Sequence, residues 1–128
     1  MRQLEPFPNL VSMFFTRARE QGDAPFLWHK EGGSWHSISW ADAAHQVASL
    51  ATGLRAAGLA PGDRVAILAA NSHQYIETYM AVPAAGFAVV PLNARHAEVE
   101  LAYALQDSGA KILLIDREPG ALAAHVEC

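Results

Sequence analysis

The sequence predicts an α/β fold in which helices cover both faces of a mostly parallel sheet, after an N-terminal helix and a β-hairpin. Three nearly apolar runs of strand length support it, at residues 64–69, 87–90 and 111–115. Segments with helical spacing of apolar residues separate these runs, and the connections are short. This order is typical of right-handed crossovers, so we expect a helix and a three-layer, Rossmann-like βαβαβ core over residues 39–116.

The first predicted element is a helix over residues 9–22. Asn9 is a favourable N-cap, because its side chain can accept a hydrogen bond from a backbone N–H of the first turn. Apolar residues then recur at helical spacing, and Gly22 follows as a C-cap. Arg17 and Arg19 lie near the carboxyl end, where positive charge interacts favourably with the helix dipole. The segment is therefore expected to be a short amphipathic helix.

A β-hairpin is predicted over residues 25–38. Two runs that contain aromatic and β-branched residues flank a glycine-containing loop at residues 31–33. The glycine pair indicates a turn and not a phosphate-binding loop, because no helix follows directly to receive an anion at its N-terminus. With this loop, four side chains are expected to share one face: Phe26, Trp28, His36 and Ile38.

A long helix is predicted after the hairpin. Residues 39–42 form a capping signal, and Gly58 ends the helical periodicity. The strand-length run that follows is apolar enough to be buried on both faces of a sheet. The inward face of the helix is expected to carry four residues: Val47, Leu50, Ala51 and Leu54.

Three further helices are predicted between and after the strands. Asn71 and Ser72 can cap the first of these helices, and Pro83 implies a kink or an early end. The second covers residues 97–106, and a last helix begins within residues 119–126. The strand at residues 87–90, between the first two, is expected to be buried.

Composition limits the classes of function. The chain has 128 residues, 52% of them hydrophobic, which suffices for one packed domain over residues 1–128. Its net charge is -4 and the basic residues are scattered among acids, so nucleic-acid binding is not expected. No run reaches the roughly 18 to 20 apolar residues of a membrane span. The start has no apolar leader core and the single cysteine is Cys128, so a cytoplasmic location is expected.

The order and spacing of several motifs resemble the N-terminal part of the adenylate-forming (AMP-binding) enzymes, in particular the acyl-CoA synthetases. The resemblance runs from about residue 10 to residue 116. Each motif is modest alone, and their combination over this length is specific. The segments that carry it are Ser39-Trp40-Ala41-Asp42, residues 58–68, Asn71-Ser72, Tyr75-Ile76-Glu77, Ala85-Gly86, residues 90–95 and residues 107–111.

This resemblance implies part of a two-step ligase. A full-length relative would use ATP, Mg²⁺ and coenzyme A to convert a carboxylic acid into an acyl-adenylate and then an acyl-CoA. The family's Ser/Thr/Gly-rich phosphate loop and its catalytic lysine have no matching stretch here. We therefore expect a truncated N-terminal subdomain of an AMP-binding domain, with no catalytic residue, no bound cofactor of its own and no activity alone.

Asn93 and Arg95 are the candidate cofactor-binding residues. They follow a predicted strand at its carboxyl end, which is the edge of a parallel sheet where ligands bind. The alternative, which we favour from sequence, is structural: Asn93 shapes the turn after Pro91, and Arg95 pairs with a nearby acid. Arg64 is likewise expected to bond the surroundings of the sheet and not a coenzyme phosphate.

Two groups of side chains have spacings that suit metal ligands. His73 and Glu77 lie four residues apart on a predicted helix, but they lack a third ligand. His96, Glu98 and Glu100 are expected to lie at the exposed start of a helix, where acids interact well with the dipole. No metal site is predicted.

The other histidines and the cysteine are expected to be structural or exposed. His45 and His125 lie on alanine-rich predicted helices and should be surface residues. His29 and His36 lie on the hairpin, where cross-strand packing is expected. Cys128 is the last residue of the sequence, where a side chain is seldom held in the geometry of a nucleophile.

Two functional alternatives stay open at this stage. The chain could be a non-enzymatic module that self-associates through an exposed apolar surface, because large apolar patches are seldom left uncovered. It could also be a small-molecule binding domain that keeps part of an acyl pocket without chemistry.

Overall fold

A computed structural model describes residues 6–125 of the chain, with side chains described as far as residue 124. The chain forms two compact units, one ending at Gln46 and the other beginning at Val47. The extreme N-terminus and Cys128, which entered the predictions above, lie outside the described residues. The elements, in chain order, are α1 (Leu10–Gln21), β1 (Pro25–Glu31), β2 (Ser34–Ser39), α2 (Trp40–Ala56), β3 (Arg64–Leu68), α3 (His73–Ala84), β4 (Ala88–Pro91), α4 (Glu98–Ser108), β5 (Ala110–Ile115) and a 3₁₀ helix (Gly120–His125).

Helix α1 begins and ends as the sequence predicts. The Asn9 side chain accepts a hydrogen bond from Ser12 N at 2.8 Å. Gly22 follows the helix with a φ of 52°, a conformation that glycine adopts without steric cost. Phe14 is 2% exposed, and its ring lies 6.0 Å from that of Trp40. Aromatic packing therefore fixes the inward face of α1.

The hairpin is confirmed, but the predicted face is wrong. The loop contains two residues, Gly32 and Gly33, both with positive φ (57° and 84°), as a type I′ turn requires. His36 therefore pairs with His29, and Trp28 pairs with Ser37. A shift of one residue moves every side chain to the other face, so His36 and Trp28 lie on opposite faces.

The capping signal before α2 forms as predicted. Ser39 Oγ accepts a hydrogen bond from Asp42 N at 3.0 Å and donates to Asp42 Oδ2 at 2.8 Å. Val47, Ala51 and Leu54 are at most 6% exposed, which confirms three of the four residues predicted for the inward face of this helix. The fourth, Leu50, is only half-buried.

The three remaining strands form a parallel sheet in the order β4-β3-β5. In the central strand, Val65 to Leu68 are at most 2% exposed, so β3 is buried on both faces as predicted. The strand β4 was also expected to be buried, and this is wrong: Ala88 and Pro91 are exposed and the valines between them half-buried. The reason is its place at an edge of the sheet, with no strand on its outer side among the described residues.

The order in which strands are added to the sheet changes side at β3. The strand β4 lies on one side of β3, and β5 lies on the other. Parallel crossovers are right-handed, so this change of side puts α3 and α4 on opposite faces and produces three layers. Ala66 and Leu68 of β3 form a buried cluster with Leu101 and Leu105 of α4.

The helices of this unit differ from their predicted bounds in small ways. Helix α3 contains Pro83 in its last turn and ends one residue later, at Ala84. Helix α4 is closed by Gly109 with a φ of 60°, in the left-handed region that glycine favours. The last segment, Gly120–His125, is a 3₁₀ helix.

Candidate functional site

The carboxyl edge of the parallel sheet holds both candidate cofactor-binding residues. Asn93 follows β4, and its Oδ1 accepts a hydrogen bond from Arg95 N at 3.0 Å. Its carbonyl oxygen accepts a second bond, from His96 N at 3.0 Å. Asn93 therefore shapes the turn after Pro91, as predicted. The predicted pairing of Arg95 with a nearby acid is wrong for the described residues, because its exposed side chain forms no ion pair with any of them. Its guanidinium is therefore available to an anion.

A groove of about 440 Å³ opens at the same edge, between the ends of β3 and β5 and the first turns of α3. Its walls are largely apolar, with polar side chains concentrated on α3. Neither Asn93 nor Arg95 lines it. The lining residues are Ile67, Ala69, Ala70, Ser72, Gln74, Tyr75, Thr78, Leu114, Ile115 and Asp116.

Asp116 joins the two strand ends that form the groove. Its Oδ2 accepts a hydrogen bond from Ala70 N at 2.7 Å, and Oδ1 lies 2.9 Å from Arg117 Nε. The bond from Ala70 lowers the pKa of the Asp116 carboxyl below its ordinary value of 3.8, and Arg117 lowers it further. Asp116 is therefore negatively charged at neutral pH.

The first turn after β3, residues 69–72, does not fit a phosphate group. A phosphate cradle uses glycines that let free backbone N–H groups approach the anion at a helix N-terminus. This turn reads Ala69-Ala70-Asn71-Ser72, and the Ala70 N–H already binds the carboxylate of Asp116. Ser72 Oγ accepts from Tyr75 N at 3.2 Å and so caps α3 itself.

The amino edge of the sheet carries a separate set of charges. Arg64 Nε donates to Ser108 O at 2.8 Å and Arg64 Nη2 donates to Gly109 O at 3.1 Å, which confirms the predicted structural role of Arg64. Asp63 is 8% exposed and lies 3.2 Å from Lys111 Nζ. The hydrogen bond from Ala60 N at 2.8 Å lowers the pKa of the Asp63 carboxyl, with a further contribution from Lys111, while desolvation opposes both.

His73 and Glu77 lie close together on α3. His73 Nδ1 lies 3.4 Å from Glu77 Oε1, and Glu77 is 9% exposed. Among residues 6–124, no group of three or more His, Cys, Asp or Glu side chains could hold a metal ion. His96 and Glu98 are exposed at the start of α4, where Glu100 accepts from Ala97 N at 2.8 Å.

Three of the other histidines, His29, His36 and His45, lie where the sequence suggests. His29 and His36 pack across the hairpin with ring centroids 5.8 Å apart, as predicted. His45 is exposed on α2. The side chain of His125 and the whole of Cys128 lie outside the described residues.

Sequence reasoning missed the groove and the bond between Asp116 and Ala70. The available signal was an aspartate directly after the third apolar run, at the sheet edge that also carries the first turn after β3. The strand order was not predicted, and the groove depends on β5 pairing with β3. Within the described part of the chain, no helix has the length and apolar character needed to cross a membrane.

Comparison with protein families gives one match that covers most of the chain. The model described as "AMP-binding enzyme" matches residues 14–127. A feruloyl-CoA synthase from Amycolatopsis is 47% identical over 98 residues, which is 77% of this chain and 19% of that protein. A long-chain-fatty-acid–CoA ligase from Thermus thermophilus is 38% identical over 84 residues, covering 66% of this chain and 16% of the ligase.

Solved structures show the same fold. The N-terminal subdomain of Klebsiella oxytoca NpsA, solved with 3-hydroxyanthranilyl-AMSN, superposes with a TM-score of 0.78 at 24% identity. The superposition covers 86% of this chain and 27% of that one. The chain thus spans about a fifth of the length of the enzymes it resembles in sequence, at 19% and 16% for the two above.

Proposed function

Because the chain belongs to the AMP-binding enzyme family, we propose that it is the N-terminal part of an ATP-dependent acyl-CoA synthetase. Such an enzyme joins a carboxylic acid to AMP with release of pyrophosphate, and then transfers the acyl group to the thiol of coenzyme A. The observation that carries the proposal is the 47% identity to feruloyl-CoA synthase over 98 residues. The names of the relatives favour an aromatic carboxylic acid or a long-chain fatty acid as the substrate. A cytoplasmic location is also part of this proposal, since a single cysteine suits a reducing compartment.

Within such an enzyme, we assign a scaffold role to this segment. Adenylation concentrates negative charge on phosphate oxygens, which backbone N–H groups, cations or Mg²⁺ must stabilise. The turn at residues 69–72 does not fit a phosphate, and the Asp116 carboxylate beside it would repel one. The binding of ATP and Mg²⁺ is therefore assigned to other parts of a full-length enzyme. On this view the 128-residue polypeptide does not catalyse adenylation by itself.

An exchange assay tests this assignment. Purified chain is incubated with ATP, Mg²⁺, labelled pyrophosphate and either ferulic or palmitic acid, with the Amycolatopsis feruloyl-CoA synthase as the positive control. We expect exchange into ATP only for the control. Exchange above the protein-free blank with the chain alone would contradict the scaffold role.

A chimera tests whether this segment supports the activity of a complete enzyme. In this chimera, the chain replaces the matching N-terminal segment of the feruloyl-CoA synthase, which it resembles at 47% identity. We expect the chimera to form feruloyl-CoA, because the parallel sheet supplies the same scaffold. A folded chimera without adenylation activity would count against the proposal.

Arg95 is proposed to contact a phosphate of coenzyme A in the complete enzyme. Its exposed guanidinium follows β4 at the carboxyl edge of the sheet, and the Asn93 side chain fixes the backbone at Arg95 N. In the chimera, Arg95→Ala should raise the KM for coenzyme A by about tenfold or more, because losing one charge-assisted hydrogen bond weakens binding by about this factor. Arg95→Lys should recover part of this loss, and Arg19→Ala on α1 is the control. An unchanged KM for coenzyme A in the folded chimera would contradict this assignment.

Self-association is the second candidate function. Val99 and Tyr103 lie four residues apart on α4 and are 75% and 67% exposed, so an apolar pair faces solvent on this helix. Light scattering during size exclusion tests the idea. A mass that rises with protein concentration, and falls back in a Tyr103→Lys variant, would support it, whereas a monomer at all concentrations would exclude it.

A further inference from the structure

The groove between β3 and β5 lies beside the strand at which successive strands change from one side of the sheet to the other. The strand after β3 pairs on one side of it, and β5 pairs on the other. In open parallel sheets, ligands bind outside the carboxyl ends of the strands at this switch point. The volume of about 440 Å³ also falls in the range of small-molecule sites, about 300–1,000 Å³. Topology and size therefore both indicate a binding site.

The chemistry of the walls limits what the groove can hold. Ile67, Leu114 and Ile115 supply apolar surface from the strand ends, and the Tyr75 ring supplies a flat aromatic face. Tyr75 is held parallel to Tyr79, with ring centroids 6.5 Å apart and an interplanar angle of 18°. These walls favour a flat apolar body over a polar chain.

Two polar side chains in the groove have unused hydrogen-bonding capacity. Gln74 and Thr78 lie four residues apart and so on one face of α3. Within residues 6–124, neither side chain takes part in a hydrogen bond. Together they offer donors and acceptors to the same ligand group, because an amide and a hydroxyl each supply both.

Charge excludes an anion from the groove. The Asp116 carboxylate lines the groove, and Arg117, which pairs with it, is not among the lining residues. No other charged side chain is among the described residues that line it. Among the lining residues, a carboxylate or phosphate would thus meet the negative charge of Asp116 and no cation.

From this combination we propose that the groove binds a small, uncharged, flat aromatic molecule that carries an amide-type group. The ring lies against Tyr75 and the strand ends, while Gln74 and Thr78 bind the amide. This ligand differs in charge from the carboxylic acid, ATP and coenzyme A of the proposed ligase, which are all anionic at neutral pH.

The test compares benzamide with benzoate on the purified 128-residue chain. The two molecules have the same shape, and only benzoate is charged at neutral pH. In ¹⁵N–¹H spectra, benzamide should shift the amide signals of Ala69, Gln74 and Thr78 in a saturable manner, and benzoate should not. Because the assay contains no nucleotide, its result is independent of the ligase proposal. No localised shift with benzamide, or equal binding of benzoate, would overturn the inference.

Matched threonine variants sharpen the result. Thr78→Val keeps the side-chain shape and removes the hydroxyl, so it should weaken benzamide binding by about three- to tenfold. Thr52→Val on α2 is the control and should leave the affinity unchanged, because Thr52 is not among the lining residues. If Thr78→Val perturbs the spectrum of the free chain, Gln74→Met at an exposed position tests the other hydrogen bond proposed for the same amide group. Full affinity in a folded Thr78→Val or Gln74→Met variant would refute the assigned contacts.

Discussion

Replacing Leu105 by alanine should remove a large part of the stability of the sheet unit. Leu105 is 0% exposed and belongs to the buried cluster that joins α4 to β3. A buried Leu→Ala change costs about 2–5 kcal/mol, depending on how far the surroundings collapse into the cavity. Here the cavity lies between a helix and a central strand, so little collapse is possible, and we expect about 3–5 kcal/mol. Helix propensity favours alanine only slightly and does not offset this loss.

Urea unfolding followed by far-ultraviolet circular dichroism measures the effect. With a denaturant slope of about 2 kcal/mol/M, the midpoint should fall by about 1.5–2.5 M. The matched control is Val99→Ala on the same helix, where 75% of the residue is exposed and the change should stay within about 0.5 kcal/mol. A Leu105→Ala midpoint close to that of Val99→Ala would show that α4 does not pack on β3 as described.

Three further outcomes follow from particular residues. Because the Asp63 pKa is lowered in the folded chain, its contribution to stability is present above pH 3.8 and is lost as pH falls through the folded pKa. Asp63→Asn should therefore flatten the acid limb of a stability–pH curve, whereas Asp23→Asn at an exposed position should leave that limb unchanged. Gly33→Ala should destabilise the hairpin by about 1 kcal/mol because its φ is +84°, as measured by thermal unfolding. Gly53→Ala, inside α2 with nothing near an added Cβ, should stabilise the chain by about 0.5–1 kcal/mol, and equal effects of the two alanines would refute the turn argument.

The element types were predictable because each rests on local physics. The caps Asn9 and Ser39 form the hydrogen bonds that their side chains suggest. The run at residues 64–68 became a buried parallel strand, since no other position in the fold buries both of its faces. Such signals involve neighbours within a few residues, so sequence alone contains them.

The wrong predictions concern features that depend on strands far apart in the sequence or on the exact length of a turn. The hairpin face depends on whether the loop has two or three residues, and Gly32 and Gly33 permit either choice. Burial of β4 depends on strand order, which an apolar run does not specify. The groove depends on the same order, because Leu114 and Ile115 reach Ile67 only if β5 pairs with β3.

The two edges of the parallel sheet differ in how their polar groups are used. At the amino edge, Asp63 pairs with Lys111, and Arg64 donates to the carbonyl group of Ser108 at the end of α4. Both charges are therefore already bound to neighbouring elements of the fold. At the carboxyl edge, the side chains of Gln74, Thr78 and Arg95 form no hydrogen bond with any of residues 6–124, so their donors and acceptors can bind a ligand. Substitutions at the amino edge should therefore change stability and not ligand affinity, and those at the carboxyl edge should do the reverse. A benzamide affinity that falls in Asp63→Asn but not in Thr78→Val would break this division, because it would mean that the groove responds to the sheet as a whole and not to the side chains that line it.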